Sequence, residues 1–151
     1  SLTETQAGYY KFGLQFDPLP SGANPAAPAQ LLLAENAIII AAGELSIFGT
    51  QAAEEVRLFS SNAVLDGSFN RGGDTLQLEW PATIFSASLV GSTVLLDSDI
   101  ADIRIPVGPT GMTLRFSEGP DRTLVLDTTL GIVTIGSQQI GIEPVALAPF
   151  A

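Results

Sequence analysis

Apolar and β-branched residues come in short runs along this chain, each broken after a few positions by Gly, Asn, Asp or Pro. Runs of this length with such punctuation are the pattern of strands joined by turns. Strands are predicted over residues 8–16, 37–41, 44–48, 55–59, 63–66, 75–79, 84–89, 93–96, 100–105, 112–116, 123–127 and 132–135. In Thr113-Leu114-Arg115-Phe116 apolar and polar residues alternate, and in 123–127 Leu124 and Leu126 share a side, so one side is buried and the other wet. The three-and-four spacing of an amphipathic helix is missing apart from one candidate turn within residues 25–35. The expected fold class is all-β, a β-sandwich or a short β-solenoid, with less than about a tenth of the residues helical against the usual third.

The ends differ from the middle. Residues 17–28 hold Pro18, Pro20, Pro25 and Pro28 and no hydrophobic period, so residues 17–30 read as an extended loop or linker. This sets residues 1–16 apart as an N-terminal strand arm. In Gly8-Tyr9-Tyr10-Lys11-Phe12-Gly13-Leu14-Gln15-Phe16 the alternation puts Tyr10, Phe12, Leu14 and Phe16 on one apolar side, the candidate self-association surface. The other side carries Tyr9, Lys11, Gly13 and Gln15. Residues 31–141 form the β-rich body, and the apolar, Pro-broken tail 142–151 is free to lie on another surface. The first residues show no charged start followed by an apolar core, so no secretion leader of that kind is expected in them.

Composition narrows the function. With 151 residues, 46% hydrophobic and 15% charged, the chain suits one domain with a substantial core and is far from a disordered composition. Sixteen acidic residues against six basic ones give a net charge of -10, which repels nucleic acid. Lys11 is the sole lysine, and there is no polybasic segment to hold an anionic membrane. No apolar run approaches the roughly 18 residues of a spanning helix, so membrane insertion is not expected. There is no Cys and no His, which removes the usual ligands of zinc, copper, haem and iron–sulfur centres and every imidazole-based catalytic triad.

Several stretches resemble a known kind of module. These are Leu45-Ser-Ile-Phe-Gly-Thr50, then Val64-Leu-Asp-Gly-Ser-Phe-Asn-Arg-Gly-Gly-Asp-Thr-Leu-Gln-Leu78, Gly91-Ser-Thr-Val94, Ile105-Pro-Val-Gly108, Leu114-Arg-Phe116 and Ile135-Gly-Ser-Gln-Gln-Ile140. Together, over about two thirds of the chain, they are similar to modules of large secreted bacterial surface proteins: S-layer-like, adhesin-like and hemolysin-type calcium-binding proteins of type I export. The resemblance implies an extracellular or cell-surface location, a β-rich fold and a non-catalytic role. Such modules sit within far longer chains, whereas this one carries its own apolar arm and tail.

Two acidic turns are candidate calcium sites, because Ca²⁺ takes hard oxygen ligands in irregular geometry. Asp66, Asn70 and Asp74 flank Arg71-Gly72-Gly73, which also reads as a purely structural hairpin turn. The full G-G-x-G-x-D-x-U-x calcium repeat is absent. Asp97, Asp99 and Asp102 fall within six residues where one predicted strand gives way to the next, and a solvated turn is the plainer reading. Acidic pairs such as Glu54 with Glu55, or Asp66 with Asp74, do not by themselves set a glycosidase separation. Trp80 and Tyr9–Tyr10 are candidates for stacking on a surface glycan, with a core or edge anchor the alternative for Trp80. The expected function is a non-enzymatic structural subunit of an extracellular assembly (filament, S-layer or matrix), polymerising by strand addition. The alternative is a calcium-dependent adhesin or carbohydrate-binding module.

Overall fold

The computed structural model describes residues 29–149. The arm with Tyr10, Phe12, Leu14 and Phe16, and most of the Pro-rich linker, lie outside the described residues. Within them the fold is all-β, with strands β1 (Ala29–Leu32), β2 (Ile38–Phe48), β3 (Glu55–Leu65), β4 (Thr75–Leu78), β5 (Ser86–Val90), β6 (Thr93–Asp97), β7 (Asp102–Pro106), β8 (Met112–Arg115), β9 (Arg122–Asp127), β10 (Ile132–Ile135), β11 (Gln138–Ile140) and β12 (Val145–Ala146). Helical turns among the described residues are confined to Gly67–Asn70 and Ala82–Ile84.

The first strands stack in parallel, as coils of a solenoid do. Ala29 of β1 lies opposite Leu45 of β2, Ile38 of β2 opposite Glu55 of β3, and Glu55 opposite Thr75 of β4, so the chain returns over itself every 16 to 20 residues. Strands predicted separately at 37–41 and 44–48 fuse into β2 because Gly43, at φ 96°, bends the chain without taking it out of the sheet. The segments 55–59 and 63–66 fuse likewise into β3, where the register slips by one residue opposite that bend and Ser60 is left over.

This shared bend makes two layers from one sheet. The first half of β3 pairs with β4, which leads on through β8, β9 and β10 to β11. Its second half pairs with β7, which leads through β6 and β5 to β12. Alternating side chains of both layers meet in one core that includes Ile47, Leu58, Phe69, Leu76, Phe85, Leu96, Ile105 and Leu114, all essentially fully buried. Trp80 is an edge anchor of this core, meeting Phe85 edge-on at 6.2 Å between ring centroids.

The far ends of the two layers come together at a seam, giving a nearly closed, barrel-like sheet. The Leu89 N–H donates to Gly141 O at 2.7 Å. The Gln138 side chain spans the rest: its Nε2 donates to Ala146 O at 2.8 Å and its Oε1 accepts from Ala148 N at 3.1 Å. Neither β11 nor β12 was predicted, since β11 is set by its pairing with β10 and β12 by its pairing with β5 more than by their own apolar content. The C-terminal tail is therefore part of this domain up to Pro149, with Leu147 buried in the core. At the other end, β1 begins inside the segment read as linker, and the part of the candidate helical turn that is described starts as this strand.

The Arg71-Gly72-Gly73 turn is a second correction: β3 and β4 are parallel, so it is a coil turn and not a hairpin. Gly73 takes φ 73°, and Gly72 lies against the Ala52 carbonyl of the preceding coil turn, where a Cβ would stand 1.9 Å from the oxygen. Gly72→Ala forces backbone apart and is expected to cost about 3 kcal/mol or more, whereas Gly73→Ala meets open space and costs about 1–2 kcal/mol for its positive φ. Urea unfolding of both variants measures the difference, and equal losses would refute the close packing of the two coil turns.

Candidate functional site

The coil turns are held by side chains predicted to bind metal, and each has a structural duty. Asp66 caps the Gly67–Asn70 turn, accepting from the Ser68 N–H at 3.1 Å and from the Ser68 hydroxyl. Ser68 Oγ in turn accepts from Gly49 N at 2.9 Å, stitching one coil turn to the next. Asn70 Nδ2 donates to Val107 O at 3.4 Å, on the connection that follows β7. Asp74 is fully buried, and its Oδ1 accepts from Glu54 N at 2.7 Å.

Glu54, paired in the sequence only with Glu55, was not marked as the neighbour of Asp74. It is 2% exposed, and its carboxylate accepts from Thr50 N at 2.9 Å, from the Thr50 hydroxyl and from Asn36 N at 3.3 Å. Its backbone continues the ladder, accepting from Thr75 N. Two buried carboxyl groups thus sit beside each other in consecutive coil turns, and Asp74 Oδ2 has no hydrogen-bond partner among the described residues. Burial pushes the Asp74 carboxyl up to about 6, with the nearby Glu54 charge adding to the rise and the Glu54 N–H opposing it. That value suits acid–base chemistry, but a side chain with no exposed surface meets no substrate in this fold.

Of the second predicted cluster, Asp97 and Asp102 are brought opposite each other on a solvent-facing hairpin, with Asp99 in the turn between them. Asp97 ends β6 directly opposite Asp102, which starts β7. The hydrogen bond to the Asp102 carboxyl, followed by slight desolvation and the Asp102 and Asp99 charges, raises the Asp97 carboxyl above its ordinary value. Ser98 holds the turn, its hydroxyl donating to Ala101 O at 2.8 Å and accepting from the Ala101 and Ile100 N–H groups. Among the described residues, no three acidic side chains converge into a group that could hold a metal ion. Beside this hairpin, Glu44, Asn62 and Asp102 fall in one register row and, with Arg104, line a shallow depression of about 240 Å³.

Arg122 was equally unmarked in the sequence. It is 2% exposed, donates to Pro149 O at 2.8 Å and lies 5.2 Å from the Phe116 ring centroid. Burial lowers its pKa, and its Nε and Nη1 have no hydrogen-bond partner among the described residues. Its reach to Pro149 makes it an anchor for the end of the chain.

The remaining feature is the first coil. On the side away from β3, residues 38–42 have no strand partner among the described residues, and neither has β1 on the side away from β2. Ile38 and Ile40 point outward and are 67% and 63% exposed, while Leu32 is 81% exposed. Inward, Leu31 and Ile39 are only partly buried, although Ile47 and Val56, their neighbours one coil on, are sealed. Comparison of the chain with protein families, with characterised proteins and with solved structures gave no match in any of the three. The likeness to secreted surface modules therefore rests on the sequence stretches alone.

The buried acid pair makes stability depend on pH. Asp74 binds its proton more tightly folded than unfolded, where the ordinary value is 3.8, so the native state holds the extra proton between about pH 4 and 6. Stability from this group is complete below that window and falls through it as pH rises, by roughly 2–3 kcal/mol. Asp74→Asn, which keeps an acceptor for the Glu54 N–H and carries no charge, is expected to remove most of that fall. Melting curves between pH 4 and 7.5 check this, and an unchanged slope in the variant would show that other groups carry it.

Proposed function

We propose that this chain is a structural subunit of an extracellular bacterial assembly, a filament, lattice or matrix, whose copies join by strand addition. The observation that carries the reading is the edge of residues 38–42, which has no strand partner among the described residues on the side away from β3. A sheet edge with unpaired N–H and C=O groups is a template for another strand, and proteins that stay monomeric blunt such edges with charge, proline or a cover. Ile38-Ile39-Ile40-Ala41-Ala42 has neither charge nor proline, and its exposed isoleucines favour a partner. The arm 8–16 supplies a strand with one apolar side. A donor at one place and an acceptor at another make a head-to-tail contact, which propagates unless its rotation closes a ring.

The alternative, a calcium-dependent adhesin or carbohydrate-binding module, draws on the depression lined by Glu44, Asn62, Asp102 and Arg104. It leaves the apolar arm and edge without a role. It also requires stabilisation by calcium or a sugar, which strand addition does not.

Removal of residues 1–16 tests the reading. The shortened chain is expected to give a β-type circular dichroism spectrum and to remain monomeric by light scattering where the full chain polymerises. A shortened chain that forms the same polymer would exclude the arm as the connector.

A further inference from the structure

The coil spacing indicates which edge receives the arm. Successive coils return after about 17 residues at the first halves of β2 and β3, where Ile38 faces Glu55. One coil before residues 38–42 the chain reads Ser21-Gly22-Ala23-Asn24-Pro25. That stretch has a proline, a glycine and no β-branched or aromatic residue, so the chain's own coil offers no suitable strand for this edge. The edge nevertheless has an apolar inner side left to cover: Ile39 and Leu31 face inward and are only partly buried, whereas the equivalent positions one coil on, Val56 and Ile47, are sealed.

Resting on the strand-addition reading, we infer that the edge of residues 38–42 in one copy receives residues 8–16 of a second copy, with Tyr10, Phe12, Leu14 and Phe16 facing inward over Ile39 and Leu31. Two further features fit this occupant. Lys11 then falls on the outward side beside Ile38 and Ile40, and the edge is flanked by exposed Glu35 and Glu44, so the chain's sole lysine meets acidic neighbours. Residues 17–28 span up to about 40 Å when extended, at roughly 3.3 Å per residue, enough to reach an adjoining subunit.

The chain has no cysteine, so an introduced pair reports one contact without background. Full-length Lys11→Cys and Ile40→Cys proteins are mixed under a mild oxidant, with Gly13→Cys covering a two-residue shift of register and exposed Thr129→Cys as the control partner. Strands paired side by side bring the sulfurs within disulfide range, so the Ile40→Cys mixture should give at least about tenfold more cross-linked dimer than the control. The Lys11→Cys/Ile40→Cys double variant should give a ladder of oligomers. A double variant that closes only within one chain would overturn the inference, because the arm would then cover its own edge. If the unsubstituted chain polymerises by light scattering but neither arm position cross-links to Ile40→Cys above control, strand addition uses another edge. If it does not polymerise at all, the strand-addition reading itself fails.

Discussion

Each backbone N–H and C=O in a sheet needs a partner, and a chain that coils over itself draws those partners from the coil before and the coil after. The whole architecture follows from this requirement. β3, bent opposite Gly43, has β2 along one side and both β4 and β7 along the other, so each later strand inherits its layer from the half of β3 that it joins. At the far end the requirement is met by the seam, where Leu89, Gly141 and the Gln138 amide close the layers on each other. At the near end the described residues leave it unmet along residues 38–42 and β1.

Stacked coils also bring together groups distant in sequence. Glu54 and Asp74 belong to consecutive turns, and the ladder through Thr75 N and Glu54 O sets them side by side, both buried. A proton on Asp74 relieves the charge repulsion there, which makes the turn stack sensitive to mild acidity. The same closeness explains Gly72, whose missing side chain lets one turn lie on the Ala52 carbonyl of another. The turn that carries Asp66, Asn70 and Asp74 also stitches one coil to the next, through Ser68 to Gly49 N and through Asp74 to Glu54 N.

The strand positions were legible because alternation is a local property: Leu76 and Leu78, or Val94 and Leu96, are buried as their spacing requires. Which strands pair was not, since Arg71-Gly72-Gly73-Asp74 suits a hairpin and a coil turn equally well and only the register distinguishes them. The short β11 and β12 were invisible because Gln138-Gln139-Ile140 and Val145-Ala146 owe their form to partners and not to composition. Of the proposed ligands, the closeness of Asp97 and Asp102 could be read from one hairpin, whereas the burial of Asp74 beside Glu54 depends on coil stacking that no local motif encodes. The edge of residues 38–42, unpartnered among the described residues, was not legible because Ile38-Ile39-Ile40 has the same local pattern as a buried strand.

The central claim is that the backbone edge of residues 38–42 is where copies join. Native-state hydrogen exchange of the full-length protein, read at these amides in polymer and in dissociated subunits, tests it most directly. Slow exchange in the polymer and fast exchange in free subunits is the predicted result, with the amides of residues 55–58, internal to the coil stack, slow in both. Equal exchange at residues 38–42 in the two states would contradict the account.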